Sequence, residues 1–306
     1  MKLLITGGSG TLGKQIIQNY SKKFIEIHVL DNFATSSSDS LSEIKGVQVH
    51  EGSVSSISDV ENVFGICKPT HVIHLAASYK DPNDWQEDIL TNVLGMANVI
   101  RFSEKHKVEK FINVQTVLCY GRPAKIPISV DSPLNPESSY AITKVAAENL
   151  LRASSLSYAS LRLGNVVAPG LSIGPIPNFY KNITAGEKSK ATETIRDFLD
   201  IDDFMRALDI VIDGDSPSGV FNISSGKGVS MPEIYKIVEK LLDVDGVLEI
   251  SETQKDDIPE IVLDPGETKR TLGWQATVPL EDSIKKCLES YKEHGIGNIY
   301  THLKRG

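Results

Sequence analysis

Residues 2–13 read KLLITGGSGTLG. An apolar run, Leu3-Leu4-Ile5, leads into glycines at 7, 10 and 13, and beyond them Leu12, Ile16, Ile17 and Tyr20 recur at helical spacing. A strand that turns through G-x-x-G-x-x-G into a helix is built to hold a diphosphate. One glycine permits the tight turn, another lets backbone approach the pyrophosphate, and the third packs helix against strand. The helix start contributes N–H donors and a partial positive charge. An ordinary strand–helix turn can look the same, so the weight falls on context. The next predicted strand, Glu26–Leu30, ends at Asp31, 18 residues after Gly13. A carboxylate there can accept hydrogen bonds from both hydroxyls of an adenosine ribose and would repel a 2′-phosphate, which favours NAD over NADP.

Outward from this unit, strands and helices alternate. Strands are predicted at Lys2–Thr6, Glu26–Leu30, Val47–His50, His71–Leu75, Glu109–Val114 and Tyr158–Leu163; helices at Thr11–Ser21, Asp59–Cys67, Asp84–His106 and Ser138–Ser155. Such alternation predicts an α/β fold, a Rossmann-type, doubly wound parallel sheet with helices on both faces. After residue 165 the rhythm breaks at Pro169, Gly170, Gly174, Pro175 and Pro177. Helices then follow at Pro177–Gly186, Ile201–Asp213, Met231–Asp243 and Leu280–His294, with strands at Val220–Ile223 and Val247–Ile250. The pattern divides the chain into a dinucleotide-binding domain, residues 1–165 with 198–225 returning to it, and a smaller C-terminal α/β substrate lobe, residues 166–197 and 226–306. Ligands of open α/β sheets bind beyond the carboxyl ends of the strands, so the site is expected between the two.

Composition excludes several classes. A net charge of −8 over 306 residues argues against a broad nucleic-acid or anionic-membrane surface. No apolar run approaches the roughly 18 residues of a membrane span, and the start of the chain is too short for a secretory signal. The cysteines, Cys67, Cys119 and Cys287, are far apart and carry no metal spacing, and no histidine arrangement suggests a metal. A cytoplasmic protein with reduced thiols is expected.

Tyr140-Ala141-Ile142-Thr143-Lys144 places a phenol and an ammonium at i and i+4, on one helix face. A free phenol titrates near 10, too high for an efficient base at neutral pH; a neighbouring ammonium is expected to lower it. Thr116 should emerge at the carboxyl end of the fifth strand, near the start of the tyrosine helix, where its hydroxyl can hold a substrate oxygen.

Together these segments resemble the extended short-chain dehydrogenase/reductase family, in particular its NAD-dependent nucleotide-sugar epimerases and dehydratases. The resemblance spans essentially the whole chain: TGGSGTLG at 6–13, LDN at 30–32, HLAAS at 74–78, TNVLG at 91–95, YAITK at 140–144, LRLGNVVAPG at 161–170 and RDFLDIDD at 196–203. It implies that Tyr140 is the acid/base, Lys144 its tuner and a ribose ligand, and Thr116 the family's Ser/Thr. It further implies NAD contacts from Gly7, Gly10, Thr11, Leu12, Gly13, Asp31, Asn32, Ser53, Val54, Leu75, Ala76, Ala77 and Asn92, besides Tyr140 and Lys144. Substrate contacts would come from Lys80, Thr116, Asn165 and Arg196, the last two on the diphosphate. A homodimer paired through the helices at 84–106 and 138–155 is implied as well.

Departures from the family's patterns narrow the reaction. Dehydratases and decarboxylating relatives carry acids just after the catalytic Ser/Thr; here those positions are Val117 and Leu118. Ser53 stands where an aspartate often meets the adenine, the run before Thr116 is Val114-Gln115, and Lys255 is the substitute for a phosphate-binding arginine. The expected activity is therefore 4-epimerisation of a nucleotide-diphosphate sugar, most simply a UDP-sugar, through a transient 4-ketone. The alternative is a 4-ketosugar reductase or dehydrogenase using the same residues. Tyr79-Lys80-Asp81-Pro82 and the tail at 295–303 resemble epimerases of bacterial O-antigen and other cell-surface sugars.

Overall fold

Leu3 and Ile5 point to one face of the sheet and Leu4 to the other, and each lies in a different buried cluster. That alternation shows why the first strand is apolar throughout: it is covered on both sides. A computed structural model describes residues 1–296 except 25, 35, 37–40, 42–43, 80, 82, 214 and 254–256. In chain order it begins β1 (Lys2–Thr6), α1 (Thr11–Tyr20), β2 (Glu26–Asp31), β3 (Val47–Glu51), α2 (Ile57–Cys67) and β4 (His71–His74). Then come α3 (Trp85–Asp88), a π-helical turn (Ile89–Leu94), α4 (Gly95–Lys105), β5 (Lys110–Thr116), α5 (Ser139–Ala153) and β6 (Tyr158–Leu163).

The remainder adds β7 (Asn165–Val167), α6 (Pro175–Thr184), β8 (Ser189–Ala191), β9 (Ile195–Asp200), α7 (Ile201–Ile212), β10 (Gly219–Ile223) and β11 (Gly228–Ser230). It closes with α8 (Met231–Leu242), β12 (Leu248–Ile250), β13 (Glu260–Ile261), α9 (Gly266–Leu272) and α10 (Leu280–His294). Among the described residues, the main sheet has seven strands in the order β10-β6-β5-β4-β1-β2-β3. Every pairing in it is parallel. The order reverses between β1 and β4, so a crevice opens beyond their carboxyl ends. Thr6 and His74 close its floor, Oγ1 to Nδ1 at 2.8 Å.

α7 returns to the main sheet, packing Phe204, Leu208 and Val211 into the cluster that holds Leu3 and Ile5. A separate cluster joins α6, α8 and α10 through Phe179, Tyr235, Val238, Ile284 and Leu288. Small strands roof this second core: β11-β9-β13 with β7 on β9, and β12 with β8.

Two expectations change. The long helix at 84–106 is interrupted by the π turn, which re-aims Thr91 and Asn92 into the protein; Gly95 follows it because a Cβ there would lie 2.5 Å from Val54 Cγ2. Strand four stops at His74, which frees Leu75 to enter the crevice. Helix α9 and the short strands β7, β8, β9, β11 and β13 are additions to the predicted pattern.

Candidate active site

The crevice continues into the gap beside α6 and β9 as one cleft of about 1320 Å³. At one end lies the β1–α1 turn. Gly7 has φ +71°, and a Cβ on it would meet the backbone nitrogen of Ala76 at 2.6 Å; a Cβ on Gly13 would meet the carbonyl oxygen of Gly8 at 2.3 Å. Backbone therefore packs on backbone, and no side chain blocks the turn. Gly10 caps α1 without a side-chain hydrogen bond, and the first helical turn carries no acid. The free amide donors of that helical turn, with no acidic side chain among its own residues, fit a dinucleotide diphosphate.

Gly7, Gly10, Thr11, Leu12 and Gly13 line this end with Asp31, Asn32, Ser53, Val54, Leu75, Ala76 and Ala77. Asp31 accepts from the backbone of Ser9 and of Phe33, both at 2.9 Å. Its carboxylate is thus fixed against the turn while still bordering the cleft. Ser53 Oγ accepts from the Ser55 amide at 3.2 Å and lies 2.8 Å from Ser55 Oγ, so its hydroxyl is already engaged.

Asn92 is the exception among the expected cofactor residues. It lies outside the cleft lining, with Oδ1 accepting from Ser78 N at 2.9 Å and Nδ2 donating to Ser78 O at 3.1 Å and Thr143 Oγ1 at 3.0 Å. The π turn aims it inward, so it ties the wall to α5 rather than reaching into the space.

At the cleft's middle, Thr116, Tyr140 and Lys144 converge. Thr116 is the last residue of β5, and α5 starts one residue before Tyr140, with Ser138 Oγ accepting from Ala141 N at 3.2 Å as its cap. Burial raises the Tyr140 phenol well above its ordinary range, with the Tyr79 phenol adding to the effect and the adjacent Thr116 hydroxyl opposing it. Tyr79 stands edge-on to Tyr140 at 6.3 Å between ring centres. Asp88 raises the phenol further; it is buried, and neither carboxylate oxygen has a hydrogen-bond partner among the described residues.

Lys144, expected to lower the phenol, is not among the groups that shift it most. Its Nζ donates to the carbonyl of Val114 at 2.8 Å. Burial brings the ammonium itself down to about 8, with the Glu148 carboxylate pulling the other way.

Beyond these groups the cleft runs under the second lobe, where Asn165 and Arg196 both line it. Arg196 donates to the carbonyls of Ile195 at 2.8 Å and Pro259 at 3.5 Å. Burial lowers its pKa and the Asp257 carboxylate opposes that shift. Among the described residues Arg196 pairs with neither neighbouring carboxylate: Asp197 accepts from Ser225, Gly226 and Leu263, and Asp200 caps α7.

Asn178, Asn182, Lys188 and Lys190 share this wall, and none was singled out from sequence. The spacing of Asn178 and Asn182, i and i+4 on a predicted helix, was a usable signal. Lys188 precedes and Lys190 lies within β8, a strand too short to recognise. Lys80 and Lys255, expected as substrate ligands, lie outside the described residues, as does most of the tail at 295–303. Among the described residues no cluster of His, Cys, Asp or Glu could hold a metal ion, and no helix is long and apolar enough to cross a membrane.

The sequence profile of the NAD dependent epimerase/dehydratase family matches residues 3–224. The Bordetella bronchiseptica enzyme WbmG, solved in complex with NAD and UDP, is 44% identical with a TM-score of 0.93, over 99% of this chain and 97% of that one. The UDP-glucose 4-epimerase of Thermotoga maritima, solved with UDP-glucose, is 27% identical with a TM-score of 0.89, over 96% of this chain and 99% of that one. A UDP-glucose 4-epimerase of Halalkalibacterium halodurans is 26% identical across 97% of both sequences.

Proposed function

The chain belongs to the NAD dependent epimerase/dehydratase family, and within it we propose that it inverts carbon 4 of a UDP-sugar, with NAD as resident cofactor and Tyr140 as acid/base. One observation carries this reading. Thr116, Tyr140 and Lys144 meet midway along a single cleft that has a diphosphate-accepting glycine turn at one end and Arg196 with Asn165 at the other. The likeness to proteins solved with NAD, UDP and UDP-glucose supports it.

NAD, when bound, supplies the reversible two-electron oxidation of the sugar carbon. The chain's own residues do the rest. Gly10, Thr11, Leu12 and Gly13 hold the cofactor diphosphate on the start of α1, and Asp31 takes the adenosine ribose. Thr116 Oγ1 holds the C4 oxygen of the sugar beside the Tyr140 phenol. Tyr140 removes the proton from that oxygen as the ketone forms and returns it as the alcohol re-forms. Burial alone favours the neutral phenol, so forming the phenolate needs positive charge nearby. Lys144, one turn along the same helix face, provides it. Such proton transfer contributes about 10²–10⁴-fold in rate. Arg196 and Asn165 keep the diphosphate in place while the ketone presents its other face.

Val117 and Leu118 follow Thr116, and neither can remove a proton. This supports simple inversion over loss of water or of a carboxylate. In the same reading, residues 1–165 with 198–225 form the NAD-binding part, and 166–197 with 226–306 the substrate lobe. The enzyme works in the cytoplasm as a homodimer, on sugars destined for the cell surface. Exposed Trp85, Ile89, Ile142 and Leu150 on α3, the π turn and α5 support the dimer.

The test is incubation with UDP-, dTDP-, GDP- and CDP-sugars, read by NMR. The expected result is a C4 epimer of a UDP-sugar with no net NADH. Stoichiometric consumption of NADH with a 4-ketosugar would replace this reading with the reductase.

A further inference from the structure

β5 ends in Val114-Gln115-Thr116, and Gln115 is 2% exposed. Its Oε1 accepts from the backbone N–H of Thr116 at 2.8 Å, and its Nε2 donates to the backbone carbonyl of Lys144 at 2.7 Å. The partners dictate the amide's orientation, since an N–H needs the oxygen and a carbonyl needs the nitrogen. One residue earlier, the Val114 carbonyl accepts from Lys144 Nζ at 2.8 Å. Consecutive residues of β5 thus grip Lys144 at both ends, and the one that grips its backbone also grips that of Thr116.

The carbonyl of Lys144 lies inside α5, where helical geometry already supplies it with the N–H four residues ahead. The bond from Gln115 is therefore an extra brace between strand and helix. A serine or alanine at this position could not span the gap, because the side chain would end at or one atom beyond Cβ. We propose that Gln115 is a positioning residue of the reaction: its amide sets the distance between the Thr116 hydroxyl and the helix face that carries Tyr140 and Lys144.

This rests on the reaction proposed above, and the test separates the two. Turnover by the unmodified protein judges the reaction; only the ratio of variant to unmodified protein judges Gln115. Gln115→Met keeps the side chain's length and loses both bonds. Gln115→Glu keeps an acceptor for Thr116 and turns an oxygen toward the Lys144 carbonyl. In each variant kcat should fall about 10- to 100-fold, as expected for misplaced reacting groups. KM should stay within about threefold, because ground-state binding is untouched. Melting temperature should fall by only a few degrees, reflecting the lost buried hydrogen bonds, and retained NAD should match the unmodified protein.

Hydrogen exchange in the same samples needs no turnover: the Thr116 amide should exchange at least about tenfold faster in Gln115→Met, having lost its acceptor. A folded variant with kcat within twofold of the unmodified protein overturns the proposal. So does unchanged exchange at Thr116, or failure of both variants to fold, which would make Gln115 structural only.

Discussion

Lys144 is a charged group placed where charge is costly, and its position makes a measurable trade. Burial takes its pKa from 10.5 to about 8, so between those values the unfolded chain holds a proton that the folded chain has released. Stability therefore rises with pH through that window, and below about 8 the full cost of the buried ammonium is present. Lys144→Met should accordingly stabilise the protein at pH 7 by about 1–3 kcal/mol in denaturant melts while losing turnover. The gain should shrink above pH 8 and vanish near 10.5. A destabilised variant at pH 7 would contradict the assignment of the shift to burial. That Thr116, Tyr140 and Lys144 border one cleft was legible in the sequence because strand end and helix face are local properties. The inward turn of Asn92 and the bracing by Gln115 are not legible in the sequence, because what each touches, Thr143 or Lys144, is set by packing across the chain. Asp88 is a similar case: nothing local marks a carboxylate that folding will bury beside a phenol.

At the scale of elements, two junctions hold the cleft. In the β1–α1 turn, Gly13→Ala would press a methyl against the Gly8 backbone, which has no flexible end to yield. The expected cost is about 1–3 kcal/mol, together with loss of NAD from the purified protein by absorbance. Retention of both would show that the turn can relax. One turn beyond Lys144 on the same face of the catalytic helix, Arg162 of β6 donates to Glu148 of α5, Nη2 to Oε1 at 2.5 Å and Nε to Oε2 at 3.2 Å. Nη1 reaches the Tyr120 hydroxyl at 2.8 Å. Both charges are buried. Arg162→Met would leave Glu148 uncompensated and should cost about 3–5 kcal/mol in urea unfolding; a loss under 1 kcal/mol would contradict the pair's isolation from water. The long elements were readable from periodicity. The π turn was not, because Ile89–Leu94 keeps a helical pattern while shifting its hydrogen bonds, and β7, β8, β11 and β13 are too short to show a period.

For the whole molecule, the main sheet and α5 place a glycine turn and a phenol along a single cleft, the small sheet adds the guanidinium of β9, and a second core of α6, α8 and α10 lies beside it. α3, the π turn and α5, the helix that carries Tyr140 and Lys144, also expose large apolar side chains. Light scattering at micromolar concentration should report a dimer, and Ile142→Glu combined with Leu150→Lys should give monomers; an unmodified monomer would contradict that pairing. The activity itself has a direct isotopic signature. A UDP-sugar carrying deuterium at C4 should yield its C4 epimer with the deuterium still at C4, since the carbon is oxidised and reduced within one closed cleft. Deuterium lost to solvent, or recovered in released NADH, would contradict inversion through a ketone that never leaves the site.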